Sequence, residues 1–200
     1  ADLESSTGYY LQVTATAIDD AAGNSFAGIA DATTLNFTSA DVAAPTVTSV
    51  SVPSAGSYVT GNTLDFTVNT SENVTVTGSP QIALTIGSTV RQAGYASGSG
   101  SSALVFSYTI QAGDNDTDGV AVGDLSLNSG TLKDGAGNDM TLTLNSLGAT
   151  SEVRVDTTAP TFASSTPTDG AVSVEVASNI ALTFSENIVA GTGNVTLFAA

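Results

Sequence analysis

Three aspartates at alternating positions form the stretch of this sequence with the clearest capacity for chemistry, Asp114-Asn115-Asp116-Thr117-Asp118-Gly119. Carboxylates with this spacing, followed by a glycine that allows a sharp turn, can wrap Ca²⁺. An EF-hand is excluded, because its twelfth position requires a glutamate and is Leu125 here, and no helices flank the loop. The motif predicts a calcium site in a loop between strands, since unbound carboxylates would repel one another; the alternative is a solvated acidic turn. The predicted ligands are Asp114, Asp116, Asp118 and, completing the set, Asp124.

The composition leaves carboxylates and hydroxyls as the abundant reactive groups. The chain has no Cys and no His, which removes thiol, imidazole and zinc chemistry as well as disulfides. Its 19 acidic residues against 3 basic ones give a formal charge of −16. This charge argues against a nucleic-acid or anionic-membrane partner, because both require a basic surface. No apolar run approaches the length of a membrane span. Since the sequence begins in mid-pattern, we expect it to be part of a longer protein.

Short runs of β-branched, aromatic and alternating apolar residues predict strands along the whole chain. Clusters of Gly, Asn, Asp and Ser separate these runs, which favours an antiparallel sandwich. The predicted strands are 9–18, 33–38, 46–52, 63–68, 74–76, 81–86, 103–110, 120–122, 126–127, 140–144, 153–155, 172–176, 180–184 and 194–198.

Three motifs recur in the same order and indicate an internal repeat. Asp-x-x-Ala-Pro-Thr begins at Asp41 and again 115 residues later, at Asp156. Asp-x-x-Gly-Asn and Ser-Glu-Asn each recur after 114 residues. Proline makes the first motif a short, stiff junction, and its aspartate either caps a turn or binds Ca²⁺ at the seam between modules. We therefore divide the chain into the C-terminal part of one module (1–43), a complete middle module (44–158) and the N-terminal part of a third (159–200).

These residues carry a resemblance. The middle module resembles the bacterial Ig-like domains that occur in tandem in giant calcium-dependent surface adhesins. The segment 181–187 and the segment from Tyr9-Tyr10 to Asn24 resemble the two halves of the Ig-like domain also found in S-layer and other cell-surface proteins. The Asp-x-x-Ala-Pro-Thr junction is similar to the linker of cadherin repeats but lacks their Asn-Asp pair. The resemblance implies an all-β fold of tandem Ig-like antiparallel β-sandwich modules, an extracellular or cell-surface location, and Ca²⁺ as the bound ion.

In an Ig-like sandwich a strand end, a late loop and the exit linker can meet at one pole. This implies a seam cluster of Glu72, Asp134, Asn138 and Asp156. A second cluster elsewhere would contain Asp20, Asn24, Asp41 and Glu186. The alternative for both copies of Asp-x-x-Gly-Asn is a simple turn, in which Gly and Asn supply positive φ.

The sequence favours a structural function. We expect a Ca²⁺-stiffened extender repeat of a bacterial surface adhesin, filament or layer, whose partners are neighbouring modules of the same or adjacent chains. The outer modules could complete one another within one molecule or between neighbouring chains, and the second arrangement would produce a homopolymer. The alternative is a carbohydrate- or protein-binding module, which is disfavoured by the absence of Trp and the low number of Tyr, five. Paired carboxylates could serve a glycosidase, but acidic residues in repeated turn motifs suit architecture better than catalysis.

Overall fold

Thirteen β-strands and their connecting loops make up the computed structural model, which describes residues 2–198. The strands are β1 (Gly8–Tyr10), β2 (Asn36–Thr38), β3 (Val47–Ser51), β4 (Gly56–Tyr58), β5 (Thr63–Thr77), β6 (Gln81–Ile86), β7 (Thr89–Ser97), β8 (Ser101–Thr109), β9 (Ala121–Ser126), β10 (Thr131–Lys133), β11 (Val153–Val155), β12 (Phe162–Thr166) and β13 (Ala181–Phe184). The described residues contain no helix, and therefore none that could cross a membrane. They divide into an N-terminal unit, residues 2–156, and a C-terminal unit, residues 157–198.

The main sheet of the N-terminal unit has the strand order β10-β5-β8-β7-β6-β9, and β3 also pairs with β5. All pairings within this sheet are antiparallel. The long strand β5 links the parts of this sheet. Its first part, up to Thr70, pairs with β3 and β8, and its last residues, Thr75 to Thr77, pair with β10. Leu64, Phe66 and Val68 alternate with exposed or half-buried residues along β5, so one face of the strand enters the core.

A second layer covers this core and completes the β-sandwich. Strands β4 and β11 pair with each other, and Val153 and Val155 of β11 are buried in the same apolar cluster as Phe66 and Phe106 of the main sheet. Each such side chain contributes about 1.5 to 3 kcal/mol by leaving water. The prediction of an all-β chain of antiparallel sandwich type is confirmed.

Residues 2–43 repeat part of this architecture on a small scale. Strand β1 pairs with β2, and a bridge joins Asp19 to Ser25. The Phe26 N–H donates to the Ile18 carbonyl at 2.7 Å, and 114 residues later the Met140 N–H donates to the Leu132 carbonyl at 2.9 Å. The hairpin around Asp20 is therefore a structural copy of the hairpin around Asp134.

The C-terminal unit repeats the beginning of the middle module. Strand β12 pairs with β13 as β3 pairs with β5, with a bulge after the first pair in both cases. The Thr46 N–H donates to Ser71 Oγ at 3.0 Å, and the Thr161 N–H donates to Ser185 Oγ at 2.9 Å. The sequence repeat is thus also a repeat of hydrogen bonds.

Three segments that were predicted to be strands, 140–144, 172–176 and 194–198, are not strands in the structure. In the first of them Met140 is buried and Leu142 and Leu144 are partly buried, so the apolar alternation does point into the core. The segment lacks a strand partner because its backbone contact to Pro45, from the Thr141 N–H at 2.9 Å, does not extend into a ladder. Strands β4, β7, β10 and β12 were not predicted.

Candidate metal site

Three carboxylates converge where the chain enters the middle module, those of Asp41, Glu72 and Asp134. One oxygen from each lies within 4.8 Å of the other two, and no other set of three acidic side chains in residues 2–198 meets this criterion. Asp41 belongs to the junction before β3, Glu72 lies in β5, and Asp134 directly follows β10. The sheet brings them together, because β10 pairs with the part of β5 that follows Glu72.

Glu72 occupies the irregular part of β5. The register of β5 against β8 shifts between Asn69 and Val74, so residues 70–73 leave the regular ladder. Inside this stretch, Thr70 Oγ1 donates to the Glu72 carbonyl at 2.6 Å. A bulge in a strand changes the direction in which a side chain points, and here it brings the glutamate to the end of the module rather than to the face of the sheet.

Asp134 holds its own loop closed. Its Oδ1 accepts the N–H groups of Ala136, Gly137 and Asn138 at 2.9, 2.6 and 2.8 Å. Its Oδ2 accepts Asn138 Nδ2 at 2.7 Å. Gly137 has φ +98°, whereas Asn138 is not at positive φ. In the structure the Asp-x-x-Gly-Asn motif at Asp134 forms a turn, and Gly137 alone adopts the left-handed conformation.

Asn138 also ties the loop to the junction. Its Nδ2 lies 3.3 Å from the carbonyl oxygens of both Asp41 and Ala43. Asp41 Oδ1 in turn accepts the hydroxyl of Ser5 at 3.0 Å. The acidic cluster, which we define as Asp41, Glu72 and Asp134, is therefore connected to the residues before the junction as well as to the middle module.

The electrostatics of the acidic cluster suit a cation. Burial raises the pKa of Glu72, and the negative charges of Asp134 and Asp41 raise it further. Burial also acts to raise the pKa of Asp134, but the hydrogen bonds from Asn138, Gly137 and Ala136 outweigh this and lower it. Ionised Asp134 thus disfavours ionised Glu72. A cation between them would remove this repulsion.

The donor set fits Ca²⁺. Three carboxylates supply hard oxygen ligands, the type that Ca²⁺ prefers over nitrogen or sulfur. Zinc normally takes nitrogen or sulfur ligands, and this chain has neither His nor Cys.

The structure does not bring the carboxylates of the Asp114–Asp118 loop together. Asp114 is buried and binds Arg91, with its Oδ1 2.7 Å from Arg91 Nη2, while its Oδ2 accepts the Tyr108 hydroxyl at 2.6 Å. Asp116 is also buried and accepts the N–H groups of Gly87 at 2.7 Å and Gly119 at 2.6 Å. Asp114 and Asp116 contact different partners, so the structure does not bring the predicted ligands of this site together. The remaining two residues predicted for this site, Asp118 and Asp124, are exposed.

Sequence reasoning missed the partners of Asp114. Burial first, and then the hydrogen bond to Asp114, raise the pKa of Tyr108 to about 12. Burial also acts to raise the pKa of Asp114, yet the Tyr108 hydroxyl, the Gln111 N–H and Arg91 outweigh it, and the pKa lies below its ordinary value. The available signal was that only three basic residues occur in the chain, so that each of them, including Arg91, is a candidate partner for an acidic side chain.

The structure groups the residues of the two predicted seam clusters differently from the prediction. Asp156, predicted to join Glu72 and Asp134, instead has its N–H bonded to the Tyr58 carbonyl at 2.9 Å, at the other end of β5. Asp41, predicted for the second cluster, takes its place. Asp20 and Asn24 form a closed loop of their own, in which Asp20 Oδ2 accepts Asn24 Nδ2 at 2.8 Å. Glu186 lies in the C-terminal unit.

Comparison with known families finds that the last part of the chain is similar to a bacterial Ig-like domain. The family model matches residues 156–200. Searches of curated proteins and of solved structures found no match. Domains of this family are typically non-catalytic structural modules of surface or extracellular proteins. The match covers the C-terminal unit, whose hydrogen bonds repeat those of the middle module.

Proposed function

We propose that this chain is a calcium-stiffened extender repeat of a bacterial surface adhesin or of a surface filament or layer. The supporting observation is that the chain enters and leaves the middle module at opposite ends. The entry is held at Ser71, whose Oγ accepts the Thr46 N–H, and the exit at Tyr58, whose carbonyl accepts the Asp156 N–H. Strand β5 runs from Thr63, near the exit, to Ser71, near the entry, a distance of about 26 Å at ~3.3 Å per residue.

An extender requires that the chain enter and leave each module at opposite ends. Modules joined in this way add their lengths along the chain instead of folding back on one another. The stiffness of such an array depends on the junctions, because the sandwiches themselves are well packed. The junction at Asp41 contains Pro45, which restricts the backbone, and is bonded to Ser5 on one side and Asn138 on the other.

A calcium ion in the acidic cluster would act on this junction directly. Asp41 would hold the ion from the linker, while Glu72 and Asp134 would hold it from the middle module. The ion would neutralise charges that otherwise repel one another and would replace a flexible contact with several oxygen–metal bonds. Extracellular sites of this class bind with Kd values of roughly 0.1 to 1 mM. At ten times Kd, one site stabilises the folded state by about 1.4 kcal/mol.

The proposal is tested by titrating the chain with Ca²⁺ in a calorimeter. We expect a site that is lost in the Glu72→Gln variant, because the substitution removes one carboxylate and keeps the size of the side chain. Asp118→Asn is the matched control, since Asp118 is an exposed acidic residue outside the acidic cluster. Equal stoichiometry and affinity for wild type and Glu72→Gln would contradict the proposed calcium site.

A further inference from the structure

The main sheet of the middle module ends in two outer edges that lie on either side of one slot. One of them is β9, which pairs with β6 along one side only. The other is the segment 141–148, which lies along β3. There the Thr141 N–H donates to the Pro45 carbonyl at 2.9 Å, and the Gly148 N–H donates to the Val50 carbonyl at 3.0 Å. The segment thus forms the outer edge of the sheet on the β3 side.

The slot has a volume of about 540 Å³. Residues of β9 line it on one side, and residues of the segment 142–147 line it on the other. Both walls belong to one continuous sheet, because β3, β5, β8, β7, β6 and β9 pair in that order. The twist of the sheet therefore brings its two edges round until they face each other across the slot.

Each wall of the slot has unpaired backbone groups. Since β9 pairs along one side only, part of its N–H and C=O groups point away from β6. On the opposite wall Leu142, Thr143 and Leu144 make no backbone hydrogen bond to any of residues 2–198. No backbone hydrogen bond or bridge joins the two walls within the same residues. An edge of this kind is a template for pairing with another chain.

The side chains of the slot are apolar, with one exception. Leu125 of β9 belongs to the apolar core, and Val122, Leu142 and Leu144 pack against it. The exception is Asp124, which is exposed and is the one charged side chain among the described residues that line the slot. None of the three basic residues of the chain lines it. The slot is therefore apolar along its walls and acidic at Asp124.

We propose that the slot binds an extended, basic peptide segment of a partner protein, which adds a β-strand between β9 and residues 142–147. The unpaired backbone on both walls selects an extended chain, because main-chain hydrogen bonds supply the affinity of an added strand. The apolar walls select apolar side chains at alternate positions of that chain. Asp124 and the charge of −16 select lysine or arginine at the others. Since β9 has six residues, the paired peptide is about 20 Å long at ~3.3 Å per residue.

The inference goes beyond the proposed extender function, because it gives the middle module a lateral binding site for a partner. It does not use the acidic cluster, none of whose residues lines the slot. Peptide binding should therefore persist in chelator. Loss of calcium binding alone leaves the slot intact, and loss of peptide binding alone leaves the site at Glu72 intact, so the failures of the two proposals are distinguishable.

The proposal is tested with a fluorescein-labelled synthetic peptide, Val-Lys-Val-Lys-Val-Lys, titrated with the full chain in chelator and followed by fluorescence anisotropy. Two peptides are the controls: one has proline in place of the central valine, which removes a backbone N–H, and the other has glutamate in place of every lysine. We expect both to bind at least ten times more weakly. Equal affinity of the proline peptide would overturn the proposal, because it would show an apolar pocket that makes no use of the strand edges.

The charge at the slot is tested with Asp124→Lys, which should weaken binding of the lysine peptide by about fivefold, the effect of one exposed charge contact. Asp65→Lys is the matched control, because Asp65 is also exposed, lies on β5 in the middle of the sheet and changes the net charge by the same amount. Equal losses in the two variants would show general attraction to an acidic protein and would overturn the site.

Hydrogen exchange measured by NMR locates the bound peptide. Amides of β9 that point away from β6, together with those of Leu142, Thr143 and Leu144, should exchange at least ten times more slowly with the lysine peptide, and amides of β10 should not change. Protection confined to other strands would overturn the proposal. Light scattering of the free chain tests the remaining occupant: a dimer that protects the same amides would assign the slot to a second copy and would contradict a peptide partner.

Discussion

At the scale of single residues, aspartate performs three different tasks. Asp134 closes its own loop, buried Asp114 pairs with the partly exposed Arg91, and Asp41 joins the acidic cluster from the linker. In the acidic cluster Asp134 and Asp41 both repel ionised Glu72, and a cation would relieve that repulsion. The spacing of aspartates along the chain does not distinguish these tasks, because they depend on which strands lie next to each aspartate.

The Glu72→Gln variant should change stability with opposite signs in the two calcium states. Without Ca²⁺, the pKa of Glu72 is raised in the folded state. At a pH above that pKa the ionised carboxylate therefore destabilises the fold. The neutral glutamine should remove this cost and raise Tm in chelator. In millimolar Ca²⁺ the variant lacks a ligand and should melt below the wild type. Calorimetric melts in both conditions provide the measurement, and an effect of the same sign in both would exclude a calcium ligand at this position.

Asp114→Asn should lower the free energy of unfolding at neutral pH by about 1.5 to 3 kcal/mol, the usual contribution of hydrogen bonds to a charged group. The folded-state pKa of Asp114 is below its unfolded value. The stabilisation is therefore present above about pH 4 and is lost as the pH falls toward the folded pKa, so the difference between variant and wild type should shrink in acid. Urea unfolding at pH 7 and pH 3 measures it.

The control for this prediction is Asp139→Asn. Asp139 pairs with Lys133 at 2.7 Å, but both side chains are exposed. Exposed ion pairs contribute about 0 to 1 kcal/mol, so this variant should unfold nearly like the wild type. A cost for Asp139→Asn as large as that for Asp114→Asn would show that burial is not what makes the Arg91–Asp114 pair important.

At the scale of elements, the pairing of β10 with β5 holds the acidic cluster together. The turn before β10 brings Gly130 so close to β5 that a Cβ atom there would overlap the Thr77 carbonyl oxygen. Gly78, at φ +67°, lies on the other side of this contact. The glycines allow the two strands to approach, and the strands then place Asp134 beside Glu72.

Gly130→Ala should therefore destabilise the middle module by roughly 1 to 3 kcal/mol, the range for overpacking, and should weaken calcium binding by displacing Asp134. Gly135→Ala is the matched control, because nothing lies within 4 Å of a Cβ at that position and the other copy of the loop carries Ala21 there. Urea unfolding and calcium titration of both variants measure the effect. Similar behaviour of the two alanine variants would contradict the role given to the β5–β10 contact.

At the scale of the whole molecule, Ca²⁺ should stiffen and stabilise the chain together. The chain carries a charge of −16, and chelation leaves the carboxylates at the junction uncompensated. We expect a smaller ensemble of junction angles, a higher Tm and a narrower distribution of lengths in Ca²⁺ than in chelator. Small-angle scattering and thermal melts provide the measurement, and 1 M NaCl without Ca²⁺ is the control for simple screening. If chelation changed neither the junction angles, nor Tm, nor the distribution of lengths, Pro45 and packing would be the source of the stiffness.

The sequence alone predicted the class of fold, indicated a repeat and restricted the available chemistry. Alternating apolar residues and turn clusters predicted strands throughout, and two predicted strands, 81–86 and 153–155, coincide with β6 and β11. The motif spacing of 114 to 115 residues predicted equivalent segments, and the same hydrogen bonds recur at Thr46 and Thr161. These features are local or periodic, so the order of residues along the chain is enough to predict them. The absence of His and Cys likewise restricted any metal to oxygen ligands.

Only the tertiary structure decided which residues meet. Strand β7 lies between β6 and β8 and takes hydrogen bonds from both, although Ala93 is its one buried residue and its sequence shows little alternation. The Asp114–Asp118 loop has the spacing of a calcium site, but Arg91, Tyr108 and the Gly87 N–H approach it from other strands and occupy its carboxylates. Asp41, Glu72 and Asp134 are far apart in sequence and meet because a bulge turns β5 where β10 pairs with it. Such contacts depend on register and strand order, which the periodicity of a single strand does not specify.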